Sequence, residues 1–188
     1  MNTISTSSDE QLMKLVQRGS EPAFNELYQR YSKRLLFFMY KMLQQDEAKA
    51  QDLLQDVFLK VVEAPEKFDH QRPFKTWIFT VAANCCKNYF RNQKTARLAQ
   101  ERIGVADNLV APSSPKEQEG LDQHLQEALQ KLSVVYREVF ILKYKEGLSL
   151  KEIAAILDCP LGTIKSRLHA ATKKLAQELA PYKAQLKH

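Results

Sequence analysis

Apolar side chains recur three and four positions apart along almost the whole chain, which is the spacing of one face of an α-helix. No segment shows the strict alternation of apolar and polar residues that is typical of a β-strand. N-capping residues at Ser8, Ser20 and Asp46 begin three predicted helices, and a proline ends the third. In the first hundred residues the pattern therefore predicts four helices, over 8–19, 20–45, 46–64 and 74–100.

A stretch rich in glycine, proline and serine interrupts this pattern at residues 103–120, and its composition is that of an exposed connector. The helical spacing then returns and predicts helices over 121–132, 133–146, 149–158 and 160–179. We therefore expect an all-α protein of two small helical domains, residues 1–102 and 121–188, joined by a flexible linker. Each half is large enough to build a core of its own.

Composition argues against several classes of protein. Of the 188 residues 44% are hydrophobic, but the longest apolar run has six residues, far short of the roughly 18 that a transmembrane helix needs. The N-terminus is polar and lacks the pattern of a secretory signal. We therefore expect a cytoplasmic protein that does not insert into membranes.

Residue types that carry catalysis or hold cofactors are few and badly spaced. The five glycines fit neither a phosphate-binding loop nor a dinucleotide motif, and the four histidines form no close metal-ligand pair. Cys85, Cys86 and Cys159 lack CxxC spacing, which argues against a zinc site or a disulfide framework and leaves any redox role open. The sequence predicts no catalytic residues, no metal and no cofactor.

The charges are unevenly distributed. Lysine and arginine outnumber aspartate and glutamate by 28 to 22. Residues 72–102 and 160–188 are strongly basic, whereas residues 42–69 are acidic. Two basic segments indicate an anionic partner such as a nucleic acid.

The last two predicted helices have the pattern of a helix-turn-helix. Ser149 and Glu152 form a capping box, and the sequence Asp158-Cys159-Pro160 forces a sharp turn between the helices. In the second helix an apolar seam is formed by Ile164, Leu168, Ala171 and Leu175. The opposite face offers cations and short polar side chains to phosphates and base edges, through Thr163, Lys165, Ser166, Arg167, His169 and Lys173. The alternative is an ordinary helical hairpin with a solvated basic face.

Two helices of the N-terminal half carry contrasting polar faces. The third predicted helix has an apolar stripe that we expect in the core, formed by Leu53, Leu54, Val57, Phe58, Val61 and Val62. Its outer face carries Asp52, Gln55, Asp56 and Lys60, which from the pattern alone would be a solvated surface. The fourth helix gathers uncharged and cationic groups on one arc, namely Thr80, Asn84, Lys87, Asn88 and Arg91.

Aromatic residues accompany this polar arc. Phe74 and Trp77 lie near the preceding loop, where they could wall a pocket or stack on an unpaired base, so single-stranded nucleic acid is a candidate ligand. The alternative is that Trp77 and Tyr89 belong to the core and the amides to an ordinary surface.

Several blocks of sequence occur together in this chain: DLLQDVFLKV at 52–61, FKTWI at 74–78, AANCCKNY at 82–89, GLSLKEIA at 147–154 and CPLGTIKSRL at 159–168. In their content, order and spacing they resemble the extracytoplasmic-function (ECF) sigma factors of bacterial RNA polymerase. Any one block would be moderate evidence, but the combination covers nearly the whole chain and is highly specific.

The resemblance implies two helical domains, sigma region 2 and sigma region 4, joined by a linker that threads into the polymerase. It assigns docking on the coiled coil of the β′ subunit to Asp52, Gln55 and Asp56. It assigns melting and capture of the minus-10 element to Phe74, Trp77, Asn84, Lys87, Asn88 and Arg91. Region 4 would bind the flap of the β subunit. Its recognition helix would lie in the major groove of the minus-35 element, with the contacts made by Thr163, Lys165, Ser166, Arg167, His169 and Lys173.

The partners implied by the resemblance are core RNA polymerase, promoter DNA and an anti-sigma factor. Ala170 and Thr172 stand where arginines are frequent in the family, which leaves the preferred promoter open. An alternative from another class is a dimeric repressor that uses the same helix-turn-helix and whose N-terminal half is a dimerisation or sensor domain. An enzyme is the least favoured class, because the sequence contains no nucleophile–base or metal constellation.

Overall fold

The computed structural model describes residues 3–103 and 121–182. These residues form two compact units, one on each side of residues 104–120. Every regular element within the described ranges is helical, which confirms the expected all-α fold. The predicted linker, apart from its first residue, lies outside the described residues. Among the helices that the structure describes, none has both the length and the apolar character needed to cross a bilayer.

The N-terminal unit is built from α1 Thr3–Thr6, α2 Asp9–Val16, α3 Glu21–Met42, α4 Glu47–Glu63 and α5 Phe74–Ile103. The predicted helix starts are confirmed. Ser8 forms a capping box with Gln11, and the side chains of Ser20 and Asp46 accept hydrogen bonds from the first turns of α3 and α4. The sequence pattern does not predict α1, because a single turn is too short to show a helical period.

α3 lies at the centre of this unit and packs against α2, α4 and α5. Five of the six residues predicted for the apolar stripe of α4 are buried. The prediction for Val62 is wrong, since this side chain is 52% exposed. Val62 follows the fully buried Val61 and points about 100° further around the helix, which takes it past the edge of the packed face.

The C-terminal unit is built from α6 Leu121–Lys131, α7 Val134–Tyr144, α8 Leu150–Leu157 and α9 Leu161–Glu178. Ser149 and Glu152 form the predicted capping box at the start of α8. Asp158 ends that helix in the left-handed conformation, with a φ of 51°, and this conformation permits the sharp turn into α9. In the predicted seam of α9 only Leu168 is half-buried, whereas Ile164, Ala171 and Leu175 are buried.

A buried arginine joins α7 to the end of α6. Arg137 is 2% exposed, and its guanidinium donates hydrogen bonds to the backbone carbonyls of Leu129, Gln130 and Leu132 at 2.9, 2.6 and 3.0 Å. Burial lowers the pKa of Arg137 from its usual value, yet an arginine stays charged at neutral pH. The side chain thus caps the C-terminal end of α6, where the last backbone carbonyls have no N–H donor within the helix.

We expect Arg137→Met to lower the free energy of unfolding by about 3 kcal/mol, because several carbonyl oxygens would lose their charged donor while staying buried. Urea unfolding of the full chain, followed by circular dichroism, measures the loss. Lys151→Met, at an exposed position of α8, is the matched control and should cost less than about 0.5 kcal/mol. Equal losses in the two variants would contradict the capping role.

Candidate nucleic-acid and protein-docking surfaces

The acidic surface of α4 consists of Asp52, Gln55 and Asp56, all of which are exposed. Lys49 Nζ donates to Asp52 Oδ2 at 3.0 Å, in an ion pair whose side chains are 39% and 63% exposed. Such an exposed pair contributes little to stability, so Asp52 remains available to a partner. Asp56 has no ion pair within the described part of the chain. Of the two negative charges on this surface, one is therefore paired with Lys49 and the other has no ion-pair partner among those residues.

Two exposed apolar side chains continue this surface along α4. Leu59 and Val62 are 53% and 52% exposed, and their spacing places them on the same side of the helix as Gln55. The sequence analysis did not assign either residue to this surface. Leu59 could have been assigned, because it stands four positions after Gln55 and therefore lies on the same face of the helix. An acidic patch that runs into exposed apolar side chains is better suited to docking a protein than to contact with water alone.

A cleft of about 530 Å³ separates α4 from the middle of α5. Its walls include residues of the acidic surface on one side and residues of α5 on the other, namely Asp52, Gln55, Asp56, Cys85, Asn88 and Tyr89. Lys60 Nζ donates to Cys85 Sγ at 3.0 Å across this cleft. The cleft therefore brings the acidic surface of α4 next to the polar arc of α5.

The polar arc of α5 lies where the sequence predicts it. Its exposed members are Asn84, Lys87, Asn88 and Arg91. Thr80 is half-buried, and its hydroxyl donates to the Thr76 carbonyl. Asn88 lines the cleft with α4, so it belongs to both surfaces. The remaining exposed members offer one amide and two cations.

Aromatic side chains at the start of α5 pack into a cluster with α3 and the preceding loop. Phe74 is fully buried, edge-on to Tyr31 and Phe68 at centroid distances of 5.2 and 5.5 Å. This position corrects the expectation that Phe74 contacts a base, because its ring has no exposed face. Trp77 is half-buried, 5.4 Å from Phe68, and lies on the same side of α5 as Asn84. It keeps some surface for a ligand.

The outer face of α9 carries the residues predicted for DNA binding. Four of them are exposed, namely Lys165, Ser166, His169 and Lys173, whereas Thr163 and Arg167 are half-buried at its edge. Arg167 Nη1 donates to Cys159 Sγ at 3.4 Å, in the turn before α9. Ser166 donates from its hydroxyl to the Thr163 carbonyl at 3.0 Å. The turn therefore helps to orient the arginine on this face.

Comparison with known proteins supports the division into two units. Residues 27–96 match the family model of sigma-70 region 2, and residues 122–175 match that of sigma-70 region 4. The first matched segment includes the acidic surface and the polar arc. The second includes α8, the turn and all but the last three residues of α9.

Relatives and a solved structure cover almost the full length of the chain. The RNA polymerase sigma-H factor of Pseudomonas aeruginosa is 28% identical over an aligned length of 188 residues. The alignment covers 95% of this chain and 97% of that protein. The ECF RNA polymerase sigma factor SigW of Bacillus subtilis is 29% identical over 177 residues, which span 89% and 94%. One similar solved structure is that of the sigma factor RpoE of Bartonella quintana in complex with the anti-sigma factor NepR. RpoE is 32% identical to this chain with a TM-score of 0.68, and the match covers 84% of this chain and 96% of the RpoE chain.

Both sigma-70 regions are thus matched in the same chain, and a protein named as an ECF sigma factor aligns with 89% of it. The sequence resemblance and the all-helical architecture agree with these matches. The chain therefore belongs to the ECF sigma factors, the RNA polymerase sigma factors of the sigma-70 family in which regions 2 and 4 mediate core-enzyme binding and promoter recognition.

Proposed function

We propose that this sigma factor directs core RNA polymerase to its promoters through three surfaces. The acidic surface of α4 docks on the coiled coil of the β′ subunit. The polar arc of α5, together with Trp77, takes up the minus-10 strand, and the outer face of α9 enters the major groove of the minus-35 element. The observation that carries the proposal is the presence of an acidic and a basic surface on adjoining helices of one unit, with a helix-turn-helix in the other.

The groups on α5 suit an unpaired base better than a duplex. The amide of Asn84 can donate and accept hydrogen bonds on a base edge, and Lys87 and Arg91 can neutralise phosphates. Trp77 offers a surface on which a base can stack, a contact worth about 1–3 kcal/mol. This gain offsets a large part of the few kcal/mol that unpairing costs. Phe74, packed against Trp77, supports the surface without contacting the strand.

We expect Lys165→Ala and Arg167→Ala each to weaken binding to a promoter that depends on its minus-35 element, by about 1–3 kcal/mol where a base contact is lost. A phosphate contact would instead weaken binding to all sequences and lower the dependence of affinity on salt. Filter binding of holoenzyme at several salt concentrations distinguishes the two. Lys145→Ala, exposed at the end of α7, is the control. If both variants bind this promoter with wild-type affinity, the assignment of α9 to the DNA interface is wrong.

We further propose that region 4 contacts the flap of the β subunit and that an anti-sigma factor holds the protein inactive. Support for the second partner comes from the similar RpoE of Bartonella quintana, which was solved in complex with an anti-sigma factor. In this scheme the chain acts in the bacterial cytoplasm, where the polymerase reads the chromosome. It performs no catalysis of its own, since nucleotide addition belongs to the core enzyme.

Run-off transcription with purified core RNA polymerase, with and without this chain, tests the proposed function. Transcripts that start at defined sites only when the chain is present would support it. Tight binding of the chain alone to duplex DNA, without any specific transcript, would instead favour a dimeric repressor. The same assay identifies the promoters needed for the other experiments.

A further inference from the structure

The short helix α2 has no part in the proposed function, yet it is firmly anchored. Its apolar face, formed by Leu12, Met13 and Val16, is buried in the N-terminal unit. The Asp9 carboxylate accepts hydrogen bonds from Arg30 Nη1 at 2.8 Å and from the Tyr31 hydroxyl. Burial, and after it the hydrogen bond to Asp9, raises the pKa of Tyr31, so the hydroxyl stays protonated as a donor. Buried apolar side chains and these hydrogen bonds therefore hold α2 on α3, which makes α2 a platform for further contacts.

From this platform Gln17, the residue that follows α2, reaches the α4–α5 loop, residues 64–73. Its Nε2 donates to the Pro65 carbonyl at 2.9 Å, and its Oε1 lies 2.8 Å from His70 Nε2. Because the amide nitrogen faces the Pro65 carbonyl, the oxygen must be the acceptor, and His70 donates from Nε2. One side-chain amide thus ties together two positions of the loop that lie five residues apart.

Glu10 reaches the other end of the same loop. Its Oε1 accepts a hydrogen bond from the backbone N–H of Phe74 at 3.0 Å, and Phe74 is the first residue of α5. This bond, more than any other contact, lowers the pKa of Glu10 and keeps it ionised. A carboxylate at a helix N-terminus satisfies a free donor and is attracted by the helix dipole. Glu10 therefore fixes the start of α5 from a distant part of the chain.

The two contacts flank the aromatic cluster that carries Trp77. His70 packs edge-on against Phe68 at 4.9 Å, and Phe68 in turn packs against Trp77 at 5.4 Å. Gln17 keeps helical backbone angles although it follows α2, so Glu10 and Gln17, seven positions apart, lie on the same side. Neither side chain belongs to the polar arc. Their contacts end on the loop and on the first residue of the helix that bears Trp77 and Asn84.

We propose that α2 clamps the α4–α5 loop and that Glu10 and Gln17 are positioning residues for capture of the minus-10 strand. The inference rests on the proposed function of α5, and it assigns to α2 the task of holding Trp77 and the polar arc in register before the strand arrives. A preorganised surface binds more tightly because less ordering remains to be done on binding.

The test uses holoenzyme assembled from core RNA polymerase and the full chain carrying Glu10→Ala with Gln17→Ala. The probe is a fluorescein-labelled single-stranded oligonucleotide with the non-template minus-10 sequence of a promoter found by run-off transcription. We expect its Kd to rise about tenfold, while affinity for core polymerase changes less than twofold. Lys14→Ala, exposed on the same helix, should leave both unchanged. Glu10→Gln keeps an acceptor oxygen and should recover part of the loss caused by Glu10→Ala.

The possible failures can be told apart. If wild-type holoenzyme does not bind the oligonucleotide, the proposed function of α5 is overturned. If wild type binds and the double variant binds equally well, the clamp alone is overturned. A matching loss of core binding would mean that α2 only stabilises the unit, which also overturns the clamp.

The fluorescence of Trp77, the only tryptophan in the chain, is an independent readout, measured on the full chain without core polymerase. Its emission should shift to longer wavelength in the double variant and stay unchanged in Lys14→Ala. Unchanged emission in the double variant would show that the loop keeps its position without the contacts from Glu10 and Gln17, which again overturns the clamp.

Discussion

Replacing Asp52 and Asp56 together by lysine is expected to weaken binding to core RNA polymerase about a hundredfold, which corresponds to about 2.8 kcal/mol. Both side chains are exposed on α4, so the change reverses the charge of the proposed docking surface without entering the core. Like charges facing each other across an interface cost several kcal/mol. Lys49, which pairs with Asp52 in the native protein, would add to the repulsion. Competition with labelled wild-type chain for core enzyme measures the affinity.

The control for this experiment is Glu21→Lys with Glu66→Lys, which makes the same change in net charge at exposed positions elsewhere in the unit. Its affinity should stay within about twofold of wild type, since long-range effects between exposed charges are screened by salt. Equal loss in both double variants would assign the effect to net charge. Wild-type affinity in the Asp52 and Asp56 variant would take α4 out of the docking surface.

The second large effect is expected in strand opening. Asn84→Ala with Lys87→Ala should strongly impair opening of a fully duplex promoter, because an amide for the base edge and a cation for a phosphate are lost together. Asn88 is left intact because it also lines the cleft beside Asp52. On a template already mismatched across the minus-10 region, part of the activity should return, since the unpairing cost of a few kcal/mol is removed. Permanganate footprinting of exposed thymines reports opening directly.

A matched control removes the same two residue types from exposed positions of α3, with Asn25→Ala and Lys33→Ala. Opening by this variant should equal that of wild type. If the Asn84 and Lys87 variant also opens duplex DNA normally, the polar arc is an ordinary solvated surface. If its defect persists unchanged on the mismatched template, the two side chains act at a step other than unpairing.

Local signals predict much of this fold because their information lies within a few residues. Ser8 and Ser149 each form a capping box with a residue three positions later, so the starts of α2 and α8 can be predicted from four letters. Asp158 adopts the left-handed conformation that its place before Cys159-Pro160 requires. The polar arc of α5 likewise follows from the helical period alone, and four of its five members are exposed, the exception being the half-buried Thr80.

Other features depend on partners distant in the sequence, and these could not be predicted. Phe74 looks like a candidate base-stacking residue until Tyr31 and Phe68 are seen to enclose its ring. Val62 lies at the margin of the apolar stripe, where burial depends on which neighbour covers that margin. The acceptor for the Phe74 N–H is Glu10, 64 residues earlier. A helical wheel contains no information on such contacts.

The cleft between α4 and α5 has a thermodynamic consequence for the proposed function. Asn88 stands in this cleft together with Asp52, so under the proposed function polymerase docking and strand capture would share one cleft, and their free energies would be coupled. Linkage requires that the factor by which core enzyme changes the affinity for the strand equals the factor by which the strand changes the affinity for core enzyme. With a favourable coupling, polymerase would retain its sigma factor most tightly on an opened promoter and release it more readily once the strand has left.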